Sequence, residues 1–152
     1  MNTYEYLLTE AGSEGLIVKE LRLKGYEGRI KGNRIAISKS LTQVQKSCVL
    51  AEELGHYYTT VGNILDQSDT GNRKQELRAR LWAYNKNIGL QGIIRAYEKN
   101  LTDLNEVSEF LDVTPEFLRD ALECYKGKYG SYVELDNYVI MFEPYLSVVK
   151  MI

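Results

Sequence analysis

From Val44 to Val61, apolar side chains recur at positions 44, 48, 51, 54, 58 and 61. Steps of three and four place them on one side of an α-helix, so the spacing predicts a long helix with one buried stripe. Ser40 or Thr42 offers a side-chain oxygen for its N-cap. Gly62-Asn63 reads as its stop. Glu52, Glu53 and His56 fall off the stripe. A largely buried helix therefore carries a polar face.

The flanking segments read as short elements. Thr3–Ala11 is a candidate helix, broken by Gly12, Ser13 and Gly15. Leu16-Ile17-Val18, Gly28–Lys31 and Arg34–Ser38 have strand character, with Gly32-Asn33 as the turn of a hairpin. A second long helix is expected from Asn72 or Arg73, with Leu77, Leu81, Tyr84 and Ile88 on one side. A shorter helix resumes through Ile93, Ile94 and Tyr97. Thr102–Tyr125 reads as a helix pair. Thr102 caps its first member, whose apolar face is Leu104, Val107, Phe110 and Leu111. Thr114 caps the second, with Pro115 at the first helical position, where a missing N–H costs nothing. Tyr132–Leu135 and Tyr138–Phe142 read as a closing hairpin around Asp136-Asn137.

Composition bounds the partners. A chain of 152 residues is one domain, or one with a small appendage. Its net charge of −2 argues against a chain devoted to nucleic acid. Cys48 and Cys124 lack CxxC spacing and read as two reduced thiols. Residues 1–20 show no charged stretch leading into an apolar run, and no stretch is apolar enough to span a membrane. A cytoplasmic protein is expected.

The chemistry sits in Glu52-Glu53-Leu54-Gly55-His56. In the HExxH motif, two histidines four apart bind a metal ion. The glutamate after the first handles the proton of the attacking water. Here Glu52 stands at the first histidine position. Residues four apart are separated by about 40° around a helix and about 6 Å along it, so Glu52 and His56 can address one ion. A carboxylate is an acceptable zinc ligand, though harder than imidazole, and it widens tolerance to manganese or iron. Glu76 is the preferred third ligand, provided its helix folds back antiparallel to the motif helix. Asp66 and Asp69 are weaker candidates. Because His56 is the only histidine, a purely structural role for it is the competing reading.

Taken together, these features resemble the ImmA/IrrE family of metallo-endopeptidases, in particular its phage and prophage members. The resemblance rests on the lead-in Cys48-Val49-Leu50-Ala51, on Glu53-Leu54-Gly55-His56, on the preceding hairpin ending in Ile35-Ala36-Ile37, and on the acidic helix around Glu76. It covers roughly residues 15–95. It implies an α+β fold: a minimal zincin-like domain over residues 1–100, with a small antiparallel sheet on the motif helix. Residues 101–152 would form a helix-pair and hairpin extension packed on it. It also implies a zinc-dependent hydrolase that cleaves a repressor or helix-turn-helix regulator. Glu53 would be the general base, and His56, Glu52 and Glu76 the metal ligands. Glu52 in place of the family's first histidine is the main departure. The alternative is a catalytically inactive module that keeps the fold and binds a regulator without cutting it.

Two further clusters bear on that choice. Arg73, Lys74, Arg78 and Arg80 either form a solvated helix face or pair with the motif carboxylates. Tyr57 or Tyr58 could donate to an oxyanion, although Tyr58 also falls on the apolar stripe. The Thr102–Tyr125 pair has the rhythm of a helix-turn-helix. Between Glu98 and Tyr125, however, eight acids face two bases, and a DNA reader needs the opposite. A packing unit, or a surface docking on a regulator's helical domain, is expected instead.

Overall fold

The motif helix begins where a side chain can replace the missing backbone partners. In the computed structural model, which describes residues 1–60 and 69–152 without the side chains of 69–72, Thr42 caps helix α2, Gln43–Thr59. The Gln45 backbone N–H donates to Thr42 Oγ1 at 3.1 Å, and the Thr42 N–H donates to the Gln45 side chain at 2.9 Å. This reciprocal box satisfies two orphan donors. Thr42→Ala removes one half of it and is expected to destabilise by about 1 kcal/mol, read as a shift in urea midpoint at constant m-value. The end of the helix at Thr59 precedes the predicted Gly62-Asn63 stop, which lies outside the described residues.

Two compact units divide the chain, Met1–Asn87 and Ile88–Ile152. The first holds α1 (Thr3–Ser13), strands β1 (Ile17–Leu21), β2 (Gly28–Lys31) and β3 (Arg34–Ser38), α2, and α3 (Asp69–Asn87). Its sheet has the order β1-β3-β2. The Gly32-Asn33 turn joins β2 and β3 as an antiparallel hairpin, with Gly32 at φ 61°. The sheet is nevertheless mixed rather than wholly antiparallel, because β1 pairs in parallel with β3, Val18 opposite Ile35 and Glu20 opposite Ile37. The 22–27 connection carries the chain past the central strand, so β2 becomes an edge.

The inner face of this sheet packs on α2. Ile35 and Ile37 meet a core containing Leu50, Ala51 and Leu54. Glu20, on β1, ties three elements together. It accepts from the Tyr4 hydroxyl of α1 and from Lys46 Nζ of α2, both at 2.8 Å. That explains why Lys46 can be buried.

Helices α2 and α3 run antiparallel, with Ser47 near Asn87 and Gly55 against Ala79. The buried side of α3 is made of Ala79, Ala83 and Tyr84. Leu77, expected inside, is 57% exposed, because α2 covers the neighbouring stripe. Tyr58, also expected inside, is 37% exposed and lies with its ring centroid 5.1 Å from that of Trp82.

The second unit holds α4 (Gly89–Glu98), α5 (Leu104–Phe110), α6 (Pro115–Tyr129) and strands β4 (Tyr132–Leu135), β5 (Tyr138–Met141) and β6 (Ser147–Lys150). Thr114 caps α6 with Pro115 in its first turn, as the sequence indicates. Asp103, one residue beyond Thr102, caps α5 by accepting from the Glu106 N–H. Phe110 lies 40% exposed, while Val107 and Leu111 are buried with Phe117, Leu118, Ala121 and Tyr125. The closing hairpin gains a third strand, and β4-β5-β6 form an antiparallel meander.

Candidate functional site

Glu52, Glu53 and His56 project from the second half of α2, each partly buried. Glu76 comes from α3. The antiparallel packing brings it to the motif, with His56 Nε2 3.2 Å from Glu76 Oε2. The other oxygen of Glu76 accepts from Arg80 Nε at 3.1 Å, one turn along α3. The carboxylate is thus divided between an imidazole and a guanidinium, and the arginine does not come between His56 and Glu76. Burial works against the Arg80 charge, but the carboxylates of Glu76 and Glu52 outweigh it and hold its pKa above the usual arginine range.

Glu53 is the most perturbed acid. Burial pushes its carboxyl up to about 7, with the negative charges of Glu52 and Glu76 adding to the effect. A carboxyl titrating near neutrality can accept and return a proton at working pH.

Beside these groups lies a cleft of about 510 Å³. Glu53, His56 and Thr60 line it from the helix side, and Gly28, Arg29 and Ile30 from β2. Gly28 lets the edge strand sit close to the helix, since a Cβ there would stand 2.4 Å from Val49 Cγ1. The role of Gly55 is similar and stricter. Its absent Cβ would lie 2.2 Å from the Ala79 carbonyl oxygen. The available signal was the glycines themselves: one in a strand pattern, as at Gly28, suggests close backbone approach, and one inside a helical pattern, as at Gly55, weakens the helix unless packing requires it.

Among the described residues, no three His, Cys, Asp or Glu side chains are grouped so as to hold a metal ion. Asp66 lies outside the described residues, as does the side chain of Asp69. The pair that is brought together still suits a divalent ion. Ligand atoms about 2.0–2.1 Å from a tetrahedral zinc stand about 3.3 Å apart. The 3.2 Å between His56 and Glu76 is the distance of a direct ion pair, and it is also compatible with that ligand spacing.

The IrrE N-terminal-like domain family matches residues 14–123, well over half of the chain. The chain belongs to that family. The matched region of this IrrE-like domain takes in all of β1–β3, α2 and α3, hence every described residue of the candidate site. Family membership makes the protein a metallopeptidase-like domain of a typically metal-dependent kind. No curated protein and no solved structure matches the chain. Among the described residues, no helix is long and apolar enough to cross a membrane.

Proposed function

We propose that this IrrE-like domain is a cytoplasmic metal-dependent endopeptidase of the phage or prophage type. Its proposed substrate is a transcriptional repressor or other helix-turn-helix regulator. The observation that carries the reading is the convergence of His56 and Glu76 at 3.2 Å, from two different helices, beside a carboxyl raised to about 7. His56 and Glu76 would hold the ion, and Glu52, one turn before His56, would complete the set. A bound zinc ion supplies Lewis-acid activation of water and of the scissile carbonyl. Glu53 takes the proton from the attacking water and returns it to the leaving amine. Edge strand β2, lining the same cleft, offers backbone groups to an extended peptide.

Metal content tests this directly. Protein purified without chelators is expected to carry roughly one zinc, manganese or iron ion per chain. The His56→Ala variant is expected to carry almost none while keeping its fold by circular dichroism. Equal metal in both proteins, or none in either at any supplied concentration, removes the peptidase reading and leaves binding without cleavage. Incubation of the loaded protein with a helix-turn-helix repressor then tests the substrate class.

A further inference from the structure

The geometry points to the outer face of the β1-β3-β2 sheet as a docking surface for an acidic amphipathic helix of a partner protein. The inner face of this sheet is covered by α2, while the outer face lies open. Its relief follows from the strand register. Lys19, Ala36 and Arg29 lie side by side across β1, β3 and β2, so a methyl group stands between two long side chains. A groove results along the central strand, with a volume of about 450 Å³.

The groove combines two kinds of surface. Ile17 and Leu21 of β1 and Tyr26 of the following connection line it, and each is more than two-fifths exposed. Around them stand Lys19, Arg29, Lys31 and Arg34, and no carboxylate is among the described lining residues. Glu20, the acid within β1, is turned to the other side by Tyr4 and Lys46. Charge is concentrated here against the grain of the chain. Residues 17–39 contain seven lysines and arginines and two glutamates, which leaves twelve bases against nineteen acids elsewhere.

Exposed apolar side chains rimmed by charge mark protein-binding surfaces. The occupant must bring apolar side chains to the groove and carboxylates to its rim, which a helix with an apolar stripe flanked by glutamates does. Single-stranded nucleic acid fits less well. It needs open aromatic faces to stack on. The one aromatic ring here, Tyr26, already has the Arg29 guanidinium 5.7 Å from its centroid. A flat membrane fits a concave, cation-rimmed groove less well than a convex helix does. Arg29 also lines the cleft beside Glu53 and His56, so a partner seated on this face is held next to that cleft without filling it. The surface does not depend on the metal or on hydrolysis, and it is tested by binding alone.

Fluorescence anisotropy is measured with a labelled helix-forming peptide whose leucines fall at i, i+3, i+4 and i+7, flanked by glutamates. A second peptide carries lysines at the flanking positions. The glutamate peptide is expected to bind and to weaken as salt rises, whereas the lysine peptide does not bind. Lys19→Glu combined with Lys31→Glu is expected to weaken binding roughly tenfold or more. Leu21→Ser should weaken it independently of salt. All three positions are exposed, so melting temperatures should stay near that of the wild type. The proposal is overturned if the glutamate peptide does not bind, if both peptides bind equally, or if the variants bind like the wild type. It is also overturned if a twenty-nucleotide oligomer or phosphatidylserine vesicles are bound in preference. Dimers broken by the charge reversals would identify a second copy as the occupant and refute it equally.

Discussion

Gly55→Ala is expected to be the most damaging small substitution in the first unit, lowering its stability by about 2 kcal/mol or more. Two effects compete. Alanine is a better helix former than glycine by about 1 kcal/mol, and at an open site this would stabilise. At position 55 the added methyl would stand 2.2 Å from the Ala79 carbonyl oxygen and 3.0 Å from its carbon. Both contacts are with backbone inside a second helix, so no flexible side chain can swing away. Overpacking of this kind costs about 3 kcal/mol, and it outweighs the propensity gain. Gly12→Ala in α1 is the control. Nothing lies within 4 Å of a Cβ there, and the change should be neutral or stabilising. Urea denaturation of the two variants tests the pair. A Gly55→Ala protein as stable as the wild type would mean that α2 and α3 are not held at this distance.

The second large effect concerns Glu53→Gln. Under the proposed function, hydrolysis should fall roughly 10²- to 10⁴-fold, while the metal content of the loaded protein stays unchanged. In chelator-treated protein the same change acts on stability in the opposite sense. The Glu53 carboxyl titrates near 7 in the fold against an ordinary 4.5. The folded chain therefore keeps its proton longer than the unfolded chain does. The advantage this confers is complete below about pH 4.5 and is lost as pH rises through 7. A shift of that size corresponds to at most about 3 kcal/mol. Because the side chain keeps some contact with water, roughly 1–2 kcal/mol is expected. Glutamine has no such titration. The variant should gain on the wild type steadily between pH 4.5 and 7. A melting-temperature difference independent of pH would show that Glu53 is not held in this environment.

Much of this arrangement is legible locally. Thr42, the Gly32-Asn33 turn and the Thr114-Pro115 start act over three or four residues, and the structure uses each where the sequence puts it. Helical spacing also places Glu52, Glu53 and His56 on a polar face. The proposal that α3 folds back with Glu76 toward His56 matches their 3.2 Å contact. What escaped the sequence is long-range. Periodicity shows that α2 and α3 each carry an apolar stripe, but not how much of each stripe is covered, so Leu77 of α3 and Tyr58 of α2 lie partly in solvent against the expectation from spacing. The parallel β1–β3 pairing depends on a chain crossing that no local signal encodes. Strand β6 offers only Ser147-Val148-Val149-Lys150, too short to be read without its partner β5. Lys46 and Glu20, 26 positions apart, cannot be matched from spacing.

Arg80 has a consequence for how such a centre could be assembled. The negative charges of Glu52 and Glu76 both act on Glu53, and Glu76 also meets the His56 imidazole, so like charges are brought close together here. A guanidinium already seated on Glu76 supplies a resident positive charge from within the polypeptide. Under the proposed function, the fold would then not have to wait for an ion, unlike small domains that stay unfolded until loaded. Metal loading would then follow folding and be governed by ion supply.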